Sequence, residues 1–115
     1  MTIKKFEDIV AWQKSKELTK VIYKIFQNNR DFGFKDQIQR ASISAMNNIA
    51  EGFERRSDKE FKHFLFIAKG SCGEVRSMLY LALEFGYITK DEFKILFKLT
   101  VDISRLIAGF IKSLE

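Results

Sequence analysis

The sequence predicts an all-α protein: a single domain over residues 1–115, folded as an antiparallel, up-down-up-down four-helix bundle. Three observations lead to this prediction. The chain contains no proline, the residue that most strongly disfavours a helix interior. Apolar residues recur at spacings of three and four along four long segments, which is the period of an amphipathic helix. The segments have similar lengths and short connections, and this combination favours antiparallel neighbours.

The four segments follow one another with short breaks. The first helix is predicted over residues 8–29 and the second over residues 34–53. The third is predicted over residues 58–85 and the fourth over residues 90–114. Asparagine, aspartate and glycine are concentrated between the first two segments, and these residue types favour turns.

Local signals mark where the last two helices begin and where the third one ends. Ser57 and Glu60 have the spacing of a capping box, in which each side chain bonds to the other residue's backbone N–H. Thr89 and Glu92 form a second such pair. Gly86 follows the third segment, where a residue in the left-handed conformation commonly ends a helix.

Composition narrows the class of protein. Of the 115 residues, 46% are hydrophobic, which is too many for a disordered tail. The single cysteine, Cys72, excludes an intrachain disulfide framework and is typical of the reducing cytoplasm. No stretch is long and apolar enough for a membrane span, and the first residues lack the pattern of a signal peptide. We therefore expect a cytoplasmic protein without membrane contact.

Few residues have the spacing of a catalytic or metal site. Glu60 and His63 have the Glu-x-x-His spacing of di-iron bundles, but such a centre needs two motifs and the chain has one histidine. We favour an exposed helix histidine over a metal ligand. Cys72 lies within the apolar stripe of the third helix, where a buried structural thiol is favoured over a nucleophile. The sequence thus predicts no enzyme activity, no metal and no cofactor.

The second helix carries an unusual column of polar residues. Ala41, Ala45 and Gly52 run beside it and are small enough to let a neighbouring helix approach closely. Glu74 falls in the apolar arc of the third helix, where a carboxylate needs a partner. The column is either a binding site or, as we favour, a hydrogen-bonded polar seam that fixes helix or subunit register. The residues of this predicted seam are Arg40, Ser44, Asn47, Asn48, Glu51 and Glu74.

Basic residues provide a further set of candidates. The formal net charge is +5, and residues 1–30 hold most of the excess. Three basic columns at helical spacing follow the first, third and fourth helices: Lys16, Lys20 and Lys24; Lys62, Lys69 and Arg76; Lys94, Lys98, Arg105 and Lys112. Like charges at a spacing of four repel each other, so such a column favours an anionic partner. The alternative is an ordinary solvated lysine face.

Large apolar residues outside the core stripes predict contacts between subunits. Leu99 and Leu106 widen the apolar arc of the fourth helix, and Phe66 and Tyr80 fall opposite the core stripe of the third. On the first helix, Trp12 and Tyr23 flank the lysine column, where they could also stack on unpaired bases. We expect a homo-oligomer.

Three ordered blocks of sequence resemble a known family. The blocks are residues 6–14 (FEDIVAWQK), residues 40–55 with RA…S…NIAEG…R, and residues 64–74 with FL…AKGS…E. Together they resemble the four-helix bundle proteins encoded in the intervening sequences of bacterial 23S ribosomal RNA genes. Ala45-Met46 departs from the family, which often carries a proline there. The architecture is also similar to the accessory variability determinant of diversity-generating retroelements.

The resemblance implies a helical bundle that forms pentamers and has a suspected role with RNA. The accessory variability determinant is a basic pentamer that partners a reverse transcriptase and nucleic acid. Our first hypothesis is therefore a non-enzymatic, oligomeric accessory module that binds RNA or other nucleic acid through backbone phosphates. The alternative is a structural scaffold that binds a protein partner and has no direct contact with nucleic acid. Fold resemblance alone does not decide between them.

Overall fold

The computed structural model describes residues 2–115, which form helices joined by turns. A 3-10 turn at Phe6–Asp8 precedes four α-helices: α1 (Val10–Phe26), α2 (Phe32–Phe53), α3 (Asp58–Glu84) and α4 (Lys90–Ser113). No β-strand occurs in this part of the chain. The molecule measures 43 × 22 × 19 Å, and the 27 residues of α3, which rise about 40 Å, span its long dimension. The prediction of an all-α four-helix bundle is confirmed.

The first helix is shorter than its apolar pattern predicts. Ile9 has an extended backbone (φ −77°, ψ 118°), so the preceding 3-10 turn is separate and α1 begins at Val10. At the other end, the side-chain oxygen of Asn29 accepts a hydrogen bond from the N–H of Asp31 at 2.8 Å, which forms a turn. Ile9 is nevertheless buried, so it contributes to the core although it lies outside α1.

The second helix begins two residues before its predicted start because Asp31 caps it. The Asp31 carboxylate accepts a hydrogen bond from the Phe34 N–H at 3.2 Å. It also accepts one from the Tyr87 hydroxyl at 2.6 Å, which ties the start of α2 to the turn after α3. This bond lowers the pKa of Asp31 and raises the pKa of Tyr87. The sequence did not reveal the contact because the two residues are 56 positions apart.

The predicted signals at the ends of α3 and α4 are largely correct. Thr89 and Glu92 form both bonds of a capping box, at 3.0 and 2.8 Å. Ser57 forms only half of one: its hydroxyl accepts from the Glu60 N–H at 3.2 Å, and the Glu60 carboxylate contacts that hydroxyl instead of the Ser57 N–H. Gly86 has φ +76° and ends α3 as predicted.

Each helix packs against its neighbours in sequence, and α4 closes the bundle against α1. Between α2 and α3, Gln37 bonds Glu74 at 3.1 Å and Ser44 bonds Ser71 at 2.8 Å. Residue numbers rise along α2 as they fall along α3, which is the register that antiparallel neighbours produce. The order of the helices around the bundle is therefore α1, α2, α3 and α4.

All four helices contribute to one apolar core. Leu18, Ile49, Leu65 and Ile103 represent the four helices there, and at most 1% of each is exposed. Buried hydroxyl groups also occur, and each donates to a carbonyl of its own helix, which avoids the cost of an unpaired buried polar group. These are Ser15 to Ala11, Ser42 to Gln39 and Thr100 to Phe97, at 2.7–2.8 Å.

Small residues let α2 and α3 approach closely, as the sequence predicts. Ala41, Ala45 and Gly52 are buried on α2. Gly52 lies against Phe61 and Phe64 of α3, and the space between the helices has no room for a Cβ atom there. Helix α2 is continuous through residues 45 and 46, where the family that the sequence resembles often has a proline.

Candidate nucleic-acid interface

The net positive charge of the chain is located on two neighbouring helices. Helix α1 carries four lysines and one glutamate, and α4 carries five basic and three acidic residues. In α2 and α3 the basic and acidic residues are equal in number. Since α4 packs against α1, the basic excess covers one side of the bundle. The opposite side, formed by α2 and α3, is close to neutral.

The column on α1 is open to solvent. Lys16, Lys20 and Lys24 are all exposed, opposite the buried Leu18 and Ile22. Among residues 2–115, none of these three lysines lies in an ion pair. Their ammonium groups are therefore available to a polyanion without the loss of an existing ion pair.

The column on α4 is also exposed, but part of its charge is neutralised. Lys98 donates to the Asp102 carboxylate at 2.7 Å. That hydrogen bond, followed by the positive charges of Lys98, Lys14 and Arg105, holds the pKa of Asp102 below its usual value. The remaining column members, Lys94, Arg105 and Lys112, lie on the same exposed side of the helix.

Helices α1 and α4 together border a shallow groove. It has a volume of about 310 Å³ and is lined by Lys14, Asp102, Arg105 and Leu106. Lys14 is partly buried and was not among the predicted site residues, because it lies outside the column on its own helix. Its contribution depends on the packing of α4 beside α1. In the sequence, the total charge of α1, counted over all four of its lysines, could have indicated Lys14.

The third predicted column is less accessible than the other two. Lys62, Lys69 and Arg76 are all half-buried. Arg76 is one turn before Tyr80, whose ring packs edge-on against Phe93 and Phe97 of α4. These basic residues therefore lie on the side of α3 that faces α4.

The predicted polar seam on α2 divides into a half-buried and a solvated part. Between the helices, Ser44 bonds Ser71 of α3 at 2.8 Å, and the Asn48 amide donates to the Ser44 hydroxyl and carbonyl at 3.0 and 2.8 Å. This part is a hydrogen-bonded contact between helices. Asn47, by contrast, is exposed.

The ends of the seam are on the surface. Arg40 pairs with Asp36 and Glu51 pairs with Arg55, both at 2.8 Å and both exposed. Glu74 is exposed, so its expected burial in the apolar arc of α3 is wrong, and it accepts a hydrogen bond from Gln37. The arc faces α2 there, but its edge reaches solvent, where a carboxylate keeps its hydration. The six residues do not form one site.

Several large apolar residues are exposed outside the core. Phe66 is 58% exposed and Tyr80 is 53% exposed. Tyr80 lies beside α4 and not opposite the core as expected, because its ring contacts Phe93 and Phe97. Trp12 is half-buried, Tyr23 is exposed, and Leu106 is more exposed than Leu99.

In the described part of the chain, no helix is both long and apolar enough to cross a membrane.

Neither His63, the candidate metal ligand, nor Cys72, the candidate nucleophile, lies in surroundings that favour that role. His63 is exposed and its ring lies edge-on against Phe64. Residues 2–115 contain no group of three side chains arranged to hold a metal ion. Cys72 is buried and its thiol donates to the Thr100 carbonyl at 3.2 Å. Burial raises the pKa of Cys72 to about 11, so the thiol is protonated at neutral pH and lacks the thiolate that a nucleophile needs.

Comparisons with known proteins agree with the sequence resemblance. A similar solved structure is the crystal structure of a protein with unknown function from the S23 ribosomal protein family of Bacteroides thetaiotaomicron. The two chains are 27% identical with a TM-score of 0.83, over 89% of this chain and 98% of the other. No curated protein matches the chain. The family model for the 23S rRNA-intervening sequence protein matches residues 7–109, and the chain therefore belongs to that family.

Proposed function

We propose that this protein is a non-enzymatic, oligomeric module that binds RNA through its backbone phosphates, in the cytoplasm. The observation that carries the proposal is the location of the net charge on α1 and α4, which pack side by side. Membership of a family named for 23S rRNA intervening sequences supports an RNA setting. A basic face of this kind attracts a polyanion before any specific contact forms.

The α1 column is the principal contact in this proposal. Lys16, Lys20 and Lys24 are exposed at a spacing of four, which places successive ammonium groups about 6 Å apart along the helix. Repulsion between them costs stability in the free protein. A phosphate backbone removes that repulsion and releases its condensed counterions when it binds. The α1 column therefore gains more from an anionic partner than Lys98, which already has Asp102.

Oligomerisation would extend the basic face. The exposed Phe66, Tyr80 and Ile95, each more than half exposed, supply apolar surface of the kind that subunit contacts bury. A pentamer, the form that the family resemblance implies, would carry about +25 in total and produce a strong field at low salt. Light scattering at micromolar concentration tests this part of the proposal. A monomeric mass would overturn it.

RNA binding is tested by fluorescence anisotropy with labelled single-stranded and hairpin RNA over a range of salt concentrations. We expect affinity to fall steeply with salt. The triple variant Lys16→Glu, Lys20→Glu, Lys24→Glu should weaken binding to all sequences and reduce the slope of log affinity against log salt by about two to three.

A matched variant separates location from net charge. Arg30→Glu, Arg56→Glu and Lys59→Glu change the charge by the same amount at exposed positions outside α1 and α4. This control should keep most of the affinity and the slope. Equal losses in the two triple variants would show that only net charge matters. No binding at low salt would overturn the proposal and favour a scaffold that binds a protein partner.

A further inference from the structure

The exposed side of α1 carries a groove beside the only tryptophan of the chain. Its volume is about 420 Å³, within the range of small-ligand sites. It is lined by Trp12, Gln13, Lys16, Glu17, Lys20 and Val21. An aromatic ring, two lysines and two polar acceptor side chains thus share one concave surface. This combination is chemically suited to a nucleotide and goes beyond a simple charged face.

The Trp12 ring is fixed on one side and accessible on the other. Phe6, in the 3-10 turn, packs edge-on against it, with ring centroids 5.1 Å apart and planes at 65°. The Lys16 ammonium lies over the ring at 5.7 Å from its centroid. A flexible, exposed lysine is readily displaced, so the ring can present a flat face that is already held in place.

We infer that this groove binds one unpaired nucleobase of an RNA strand, stacked on Trp12 in the place of the Lys16 ammonium. The displaced Lys16 and its neighbour Lys20 then hold the phosphates on either side of the base. The inference rests on the proposed function and narrows its ligand to single-stranded or looped segments. Bases within a duplex have both faces covered by their neighbours and cannot stack on a side chain in this way.

The polar lining of the groove favours a base with an exocyclic amino group. The Gln13 side-chain nitrogen donates to the Glu7 carbonyl at 2.9 Å, which leaves the amide oxygen of Gln13 as its free acceptor. The Glu17 carboxylate supplies further acceptors. Cytosine presents an amino donor where uracil presents a carbonyl oxygen. The groove should therefore bind oligocytidine more tightly than oligouridine.

Tryptophan fluorescence tests the inference on the wild-type protein, since all of its tryptophan emission comes from Trp12. The probes are short oligocytidine, oligouridine of the same length, and a blunt RNA duplex. We expect both single strands to quench the emission at saturation, oligocytidine at the lower concentration, and the duplex to bind without quenching. Saturated binding of single strands with unchanged emission would overturn the inference.

Two substitutions separate stacking from packing. Trp12→Phe and Trp12→Leu both keep apolar contact with Phe6, but only phenylalanine offers a ring face. Measured by anisotropy of labelled oligocytidine, Trp12→Leu should lose affinity by at least about fivefold, the low end for one stacked base, while Trp12→Phe keeps most of it. Equal affinity of the two variants would overturn the inference, and circular dichroism shows whether each is folded.

The outcomes also distinguish this inference from the proposed function. RNA binding that depends on salt and on the α1 lysines, with unquenched Trp12, leaves the proposed function intact and removes the stacking site. Equal affinity for oligocytidine and oligouridine removes Gln13 and Glu17 as acceptors for the base edge. Absence of binding by any RNA at low salt overturns both proposals.

Discussion

Replacing Gly52 by alanine tests the close approach of α2 and α3. A Cβ at this position would lie 2.7 Å from the Phe64 Cβ, 2.9 Å from the Phe61 Cδ1 and 3.3 Å from the Phe61 carbonyl oxygen. The Cβ of Phe64 and the carbonyl of Phe61 are fixed to the α3 backbone, so no rotamer change relieves these contacts. The two helices must move apart.

Two opposing effects determine how much Gly52→Ala changes the free energy of unfolding. Overpacking of a tight core costs about 1–3 kcal/mol, and alanine in place of glycine within a helix gains up to about 1 kcal/mol. We expect Gly52→Ala to lower the free energy of unfolding by about 1–2 kcal/mol. For a chain of 115 residues this corresponds to a fall of roughly 4–8 °C in Tm.

The chain offers matched controls for this substitution. Gly70 and Gly109 are also within helices, but a Cβ at either position would have no atom within 4 Å beyond the adjacent residues and the nearby backbone of its own helix. Gly70→Ala and Gly109→Ala should therefore raise stability by about 0.5–1 kcal/mol. Urea denaturation followed at 222 nm, at one fixed protein concentration, measures all three variants. If Gly52→Ala were as stable as the two controls, the close packing of α2 on α3 would be refuted.

Three further predictions concern the helix caps, the Tyr87–Asp31 hydrogen bond and the buried thiol of Cys72. Thr89→Ala and Ser57→Ala should each cost about 0.5–2 kcal/mol, because each removes the hydroxyl that accepts a hydrogen bond from the backbone N–H three residues on; an unchanged stability in urea denaturation would contradict the cap concerned. Tyr87→Phe removes the hydrogen bond to the Asp31 carboxylate. That bond lowers the pKa of Asp31, so it stabilises the fold above the usual aspartate value of 3.8 and loses this effect as the pH falls through the lowered value. The stability difference between wild type and variant should therefore shrink in acid, and a difference that grows in acid would refute the contact. Cys72 should react with a thiol reagent at neutral pH only as fast as the protein opens, because burial raises its pKa to about 11; rapid labelling of the folded protein would contradict its burial.

The sequence was sufficient for features that depend on neighbouring residues. Apolar spacing identified the four helices, and the pairing of Thr89 with Glu92 located the start of α4. Gly86 was correctly identified as the end of α3, since its left-handed conformation suits glycine. Exposure of Lys16, Lys20 and Lys24 also followed from spacing, because these residues are opposite the buried side of their own helix.

Turn and cap hydrogen bonds changed the limits of two helices, and contacts between distant residues changed the surroundings of several candidate residues. Asp31 caps α2 and bonds Tyr87, which apolar periodicity does not indicate. Lys69 and Arg76 also repeat at helical spacing, seven residues apart where the α1 lysines are four apart, yet they are half-buried on the side of α3 that faces α4. Glu74 falls within an apolar arc but is exposed.

The candidate interface depends both on the sequence and on the tertiary structure. Sequence spacing determined which side of α1 is basic, since a side chain's direction around a helix depends only on its position in the 3.6-residue period. Only the tertiary structure placed α4, with its own positive excess, next to α1 and brought Lys14 and Arg105 to one groove. The physical reason is that packing of one helix on another is decided by the fit of whole surfaces, to which residues far apart in the sequence contribute together.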